Sequence, residues 1–186
     1  MVGTYNRTWT ATEKMAFGNA RDVFRFAMAT ILICGMASTA SAVSLVKKHS
    51  AWSVYSHEAS AQKICFAASK PKVTRPKGAN RSAVFFYVSA WPNDGVKSEV
   101  SIRLGYPIKP GSTVQVKIGG KNFNLFAKDF NAFVADATEE LKLIDAMRAG
   151  STMTISGVSK RGTNTSDSYS LSGVTAALGT LAVACP

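Results

Sequence analysis

The chain has 186 residues, of which 46% are hydrophobic and 18% charged, with a formal charge of +11. That length suits one domain with an extension, and the apolar content excludes a disordered chain. Sparse charge with frequent Ser, Thr, Val and Ala is a β-rich composition rather than a disordered one.

Near the N-terminus, Arg21 and Arg25 precede an apolar run, residues 26–37 (FAMATILICGMA), and the small-residue exit Ala40-Ser41-Ala42. A basic flank, a short apolar stretch and an A-x-A site make a secretory signal peptide. The run is too short to span a bilayer, which takes roughly 20 residues. We therefore expect residues 1–42 to be a signal peptide and residues 43–186 to be the domain. A buried core helix is the competing reading, and the basic flank and small-residue exit speak against it. Met15 is an alternative start. Cys34 follows Ile33, which is too large for a lipoprotein site. Removal of residues 1–42 from 186 leaves 144, with 18 basic and 9 acidic side chains and a charge of +9. It also leaves two cysteines, Cys65 and Cys185. In an exported chain such a pair suggests one disulfide. Two free buried thiols are the alternative, and the strand-like surroundings of Cys65 fit both.

Residues 43–51 read as a short lead and residues 52–55 (WSVY) as a first strand. A polar break over 56–61 precedes a second strand at 62–67. Residues 69–81 (SKPKVTRPKGANR) follow, with Pro71, Pro76 and Gly78 denying them regular structure. Lys70, Lys72, Arg75, Lys77 and Arg81 make this loop strongly basic, and no acid lies within it. Residues 82–91 (SAVFFYVSAW) are apolar on both faces, as in a central, covered strand. After the turn 92–95, Val100, Ile102 and Leu104 alternate with polar neighbours. Val114, Val116 and Ile118 do the same, and Gly119-Gly120 closes a hairpin onto Phe123 and Leu125. A helix then starts at Asp136 or Thr138, with Glu139 at the capping-box spacing from Asp136. Glu139 and Glu140 suit the positive end of its dipole. Leu141, Ile144 and Met147 mark its buried face, and Gly150 its exit. Met153 and Ile155, then Tyr169 and Leu171, give two alternating strands around the turn Lys160 to Asn164. Residues 174–181 suit one further helical turn or more, interrupted by Gly179. About eight strands, one clear helix and one weak one predict a mainly β, single-domain β-sandwich, Ig-like or barrel-like, with a helix at an edge or end.

Chemistry is harder to find. No G-x-S-x-G, Walker or dinucleotide loop occurs. Three Ser-x-x-Lys spacings, from Ser44, Ser60 and Ser69, lack companion motifs. His49 and His57 have no cysteine or carboxylate cluster to complete a metal site. Glu139 and Glu140, adjacent on a helix, diverge by about 100°. We expect no catalytic residue, cofactor or metal. The basic loop is the one candidate binding feature: Lys70, Lys72, Arg75, Lys77 and Arg81 suit an anionic partner such as lipopolysaccharide or phospholipid head groups. It lacks the aromatics that stack on bases, which argues against nucleic acid. The plainer reading is a solvated loop.

An early Trp and Cys, the PIKPG turn before V-x-V-x-I, the Gly-Gly hairpin, the helix exit AMRAG and the tail YSLSGVTAAL together resemble the invasion-associated locus B family of exported bacterial proteins. The resemblance covers about residues 50–180. The chain resembles a divergent member, with Val174 where family members typically have Phe and without the cysteine pair that many carry just before the helix. The resemblance implies a compact β domain in the periplasm or outer envelope, linked to host-cell invasion, with no catalytic residues to carry over. The resulting expectation is a non-enzymatic envelope protein that recognises an envelope or host-surface protein, or anionic lipid. It is not an integral membrane protein once the signal is removed. The alternatives are a periplasmic chaperone or assembly factor, and a periplasmic hydrolase.

Overall fold

The computed structural model describes residues 42–59 and 62–186. The expected signal peptide lies, save for Ala42, outside the described residues. Eleven strands form one antiparallel sheet: β1 (Val43–His49), β2 (Trp52–Ala59), β3 (Gln62–Ser69), β4 (Val73–Arg75), β5 (Phe85–Trp91), β6 (Val96–Arg103), β7 (Thr113–Ile118), β8 (Lys121–Lys128), β9 (Asn131–Phe133), β10 (Thr152–Val158) and β11 (Asn164–Ser170). Two helices join them, α1 (Ala137–Ala149) and α2 (Val174–Ala184). The strand order is β1-β2-β3-β5-β6-β9-β8-β7-β10-β11-β4.

The sheet bends so that its two halves face each other across one core. Phe86 on β5 meets Trp52 edge-on at 5.8 Å and, across the core, Tyr169 on β11 at 6.2 Å. Trp52 donates its indole N–H to the Ser170 carbonyl at 3.1 Å. The mainly β, layered fold read from the turn spacing is the one observed, with α1 in the C-terminal half. Alternation predicts the inner face well. Val100, Ile102, Val114, Val116, Leu125, Met153, Ile155 and Tyr169 are all buried, as period-2 patterning requires.

Several local readings need correction. Residues 43–49 are a strand, β1, not a lead, because they pair along β2 from Val43↔His57 to His49↔Trp52. The expected break at 56–61 is the end of a long hairpin, with β2 and β3 paired out to Ala59↔Gln62. Three residues of the basic loop, Val73–Arg75, form β4 by pairing with Ser166–Ser168 of β11. Its pairing partner lies some 90 positions away, so local sequence carries no sign of it.

Both ends of α1 carry the expected signals. Asp136 is the N-cap and accepts the Glu139 N–H at 2.9 Å. Its buried face is Leu143, Ile144, Ala146 and Met147, whereas Leu141 is 60% exposed. Ile144 and Met147 are buried as expected, and Leu143 and Ala146 join them where Leu141 does not. Gly150 ends α1 with an extended backbone rather than a left-handed one. Its role is spatial, since a Cβ there would lie 2.6 Å from Ile118 Cγ2 and 3.0 Å from Leu171 Cδ1. Gly150→Ala is expected to cost about 1–3 kcal/mol by overpacking, read as a lowered midpoint in urea; an unchanged midpoint would show that the β7–β11 face yields freely. Helix α2 runs through Gly179 without a break and buries Val174, Ala177, Leu178 and Leu181.

Candidate functional site

The structure disperses the five cations of the basic loop. Lys70 and Lys72 emerge where β3 leaves the sheet, on its outer face. Arg75 lies exposed on β4, and Lys77 is exposed on the loop beyond it. Arg81 turns inward.

The outer face of β1, β2, β3 and β5 follows from register. Trp52, Val54, Cys65, Ala67, Phe86 and Val88 point into the core, so alternate residues must point away from it. Those residues are largely aromatic. Tyr55 stacks on Phe66 at 5.2 Å, Phe66 meets Tyr87 edge-on at 5.9 Å, and Tyr87 stacks with Phe85 at 5.5 Å. Contacts of this kind add about 0.5–1.5 kcal/mol each beyond area burial. The ammonium of Lys70 lies 5.1 Å from the Phe85 ring centre, a cation–π contact. Burial pushes the Tyr87 hydroxyl above its ordinary pKa, against the nearby positive charge of Arg103, which pulls it down. The aromatics floor a groove of about 550 Å³ flanked by Lys48, Lys70 and Lys72, with no Asp or Glu in its lining. Val43, which also lines the groove, and Leu45 on the same strand β1 are 55% and 58% exposed.

Arg81 belongs to a second place. Its guanidinium donates two hydrogen bonds to the two carboxylate oxygens of Asp167. The side chains are 7% and 1% exposed. The Arg81 guanidinium also sits over the Tyr106 ring at 6.0 Å. The Tyr106 hydroxyl bonds to Thr165 Oγ1, and that hydroxyl reaches the Gly157 carbonyl at 3.2 Å. Burial raises the Asp167 carboxyl above the ordinary carboxylate range, outweighing the downward pull of Arg81. Burial likewise raises the Tyr106 hydroxyl. The loop, acid-free in sequence, is thus neutralised at Arg81 by an acid 86 positions away. A signal for Asp167 exists in the sequence: it shares strand parity with Tyr169 and Leu171, so alternation alone places it inside.

Cys65 and Cys185 are bonded, joining β3 to the residue after α2. His49 and His57 lie in strands rather than loops. The His49 ring is 2.8 Å from Thr180 Oγ1 on α2. Glu140, besides its place in the first turn of α1, accepts from Ser98 Oγ at 3.0 Å and the Val100 N–H at 2.9 Å. Among the described residues, no group of three or more His, Cys, Asp or Glu could hold a metal ion. No described helix is long and apolar enough to cross a membrane.

The sequence profile of the family described as "Invasion associated locus B (IalB) protein" matches residues 52–182. No curated protein matches the chain at a significant level. Among solved structures, the chain is similar to the crystal structure of invasion associated protein B from Bartonella henselae. The two share 18% identity and superpose with a TM-score of 0.54, over 76% of this chain and 98% of that one.

Proposed function

We propose, from the premise that the chain belongs to the invasion associated locus B family, that it is an exported, non-enzymatic envelope protein acting by surface recognition. The observation that carries this reading is the outer groove. Stacked aromatics between Lys48, Lys70 and Lys72, with no carboxylate in the lining, suit a surface that is both anionic and partly apolar. Lipopolysaccharide and anionic phospholipid membranes have that chemistry. The lysines supply long-range attraction, and Tyr55, Phe66, Phe85 and Tyr87 supply flat area at the polar–apolar boundary, where aromatic side chains are favoured.

The test is partitioning of the purified chain onto phosphatidylglycerol vesicles and lipopolysaccharide aggregates at low salt. Each lysine near such a surface is worth about 1 kcal/mol. Reversing Lys48, Lys70 and Lys72 to Glu is expected to weaken partitioning by about 100-fold or more. Equal partitioning of variant and parent would remove the reading.

A second reading, a chaperone or assembly factor, is favoured by one observation. Strand β1 stands at the sheet edge with Val43, Leu45 and Val46 exposed, and open edges take up partner strands. The other edge, β4, is three residues long and flanked by Pro71 and Pro76. Photocrosslinking from position 45 that captures only lipid, and no extended peptide, would dispose of it.

A further inference from the structure

The cleft above the Arg81–Asp167 pair has no place in the reading just given. It lies where four connections meet: the loop after β4, the loop after β6, the β8–β9 turn and the β10–β11 turn. Its volume is about 580 Å³, within the range of small-molecule sites, which favour the mouths of β-barrels. Its walls are set rather than slack. On one lip the β8–β9 turn presents Phe130, 38% exposed. That turn carries Asp129 at φ 53°, a conformation uncommon outside glycine and costly enough to persist only where neighbours enforce it. Here the Asp129 carbonyl accepts the Ile108 N–H at 2.8 Å, and the Phe130 carbonyl accepts the Leu104 N–H at 3.0 Å. On the other lip, Lys160 and Arg161 are exposed on the β10–β11 turn, which is fastened by the Lys160 N–H to the Pro107 carbonyl at 2.8 Å. Neither cation has an ion-pair partner among the described residues.

No residue lining the cleft is acidic. The nearest buried carboxylate, Asp167, is already matched by Arg81 beneath the floor. The cleft therefore has a net positive lip, apolar walls of Pro107, Phe130 and the Tyr106 ring, and a floor of satisfied polar groups. Low-dielectric walls focus such a field onto whatever enters. We propose that this cleft is a binding site for a small anionic ligand with an apolar body, such as an aromatic carboxylate or sulfonate. Lys160 and Arg161 hold the charged head, and Phe130 covers the body.

The probe is 1-anilinonaphthalene-8-sulfonate, an anion with an aromatic body, compared with its uncharged analogue N-phenyl-1-naphthylamine. Fluorescence titration and amide chemical-shift mapping are run on the full chain. The expected result is one saturable site for the sulfonate, with shifts at Arg81, Tyr106, Phe130 and Lys160, and at least about tenfold weaker binding of the neutral analogue. Lys160→Glu with Arg161→Glu, both on an exposed turn, is expected to lower sulfonate affinity by about tenfold or more. Phe130→Ala weakens both probes, and reversing Lys48, Lys70 and Lys72 leaves cleft binding within about twofold. Absence of a saturable site, shifts confined to Tyr55, Phe66 and Tyr87, or unchanged affinity in the Lys160/Arg161 variant would each overturn the proposal. Because the outer-groove variant is carried in parallel, failure at one place is distinguishable from failure at the other.

Discussion

Replacing Cys65 and Cys185 together by alanine is expected to lower stability by about 3–5 kcal/mol, measured by urea unfolding under otherwise equal conditions. The bond closes a loop of 120 positions, for which the chain-entropy model gives about 5 kcal/mol. The size of the effect also rests on what the bond holds. Helix α2 is weak on its own terms. Its N-cap is Gly173, which offers no side-chain bond, and no charged side chain complements its dipole at either end. Eleven residues containing Gly179 make a marginal helix without tertiary support. That support comes from Val174, Ala177, Leu178 and Leu181 on one side and from the fully buried Cys65 sulfur at the far end. The variant should therefore lose amide protection first over residues 180–185, with β7, β10 and β11 still protected. A stability loss below about 1 kcal/mol, or uniform loss of protection, would show that apolar packing alone seats the helix.

Removing one member of the buried ion pair should have a comparable effect through different physics. Asp167→Ala leaves the Arg81 guanidinium almost out of water with no counter-charge, a situation that costs about 3–5 kcal/mol. Replacing both partners by apolar residues of similar volume, Arg81→Met with Asp167→Leu, is expected to cost far less, and even to stabilise the fold. The desolvation of two charges disappears along with their attraction. The pH dependence has a definite sign. Burial raises the folded-state carboxyl above its ordinary value, so the folded protein holds this proton to higher pH than the unfolded chain does. The stability that this group contributes is full below the unfolded pKa of about 4 and falls as pH rises through the raised folded value. The doubly apolar variant should lack this decline, and its stability relative to the parent should climb across that interval. Equal cost for the single and double replacements would refute the account.

What could be read from the sequence and what could not divides by distance along the chain. The cap of α1, the Gly119-Gly120 hairpin, the β10–β11 pair and the alternation of β6 and β7 rest on neighbours within a few residues, and all are legible. Strand β4 and the Arg81–Asp167 pair are not, because each depends on a partner some 90 positions away. Strand β1 was hidden for another reason. It is an edge strand whose side chains are nearly all exposed, so no hydrophobic alternation marks it. The basic loop reads as one feature in sequence because its five cations are contiguous. In space, the pairing of β4 with β11 and the turn of Arg81 inward to Asp167 separate Lys70 and Lys72 from Arg81. The cleft itself could not be foreseen, since its lips come from four separate connections.

The disulfide and α2 set an order of events. Strand β3 carries Cys65, but the thiol it needs arrives 120 positions later. At ribosomal speeds of about 5–20 residues per second, that is a wait of about 6–24 s. Over the same interval β1 lacks α2, against which His49 is held, and until β11 is made Trp52 lacks the Ser170 carbonyl to which it donates. The first and last segments of the domain are thus mutual prerequisites, and the early half cannot reach its final form while the late half is still being made. The domain therefore closes only once α2 and Cys185 are available to β1 and β3.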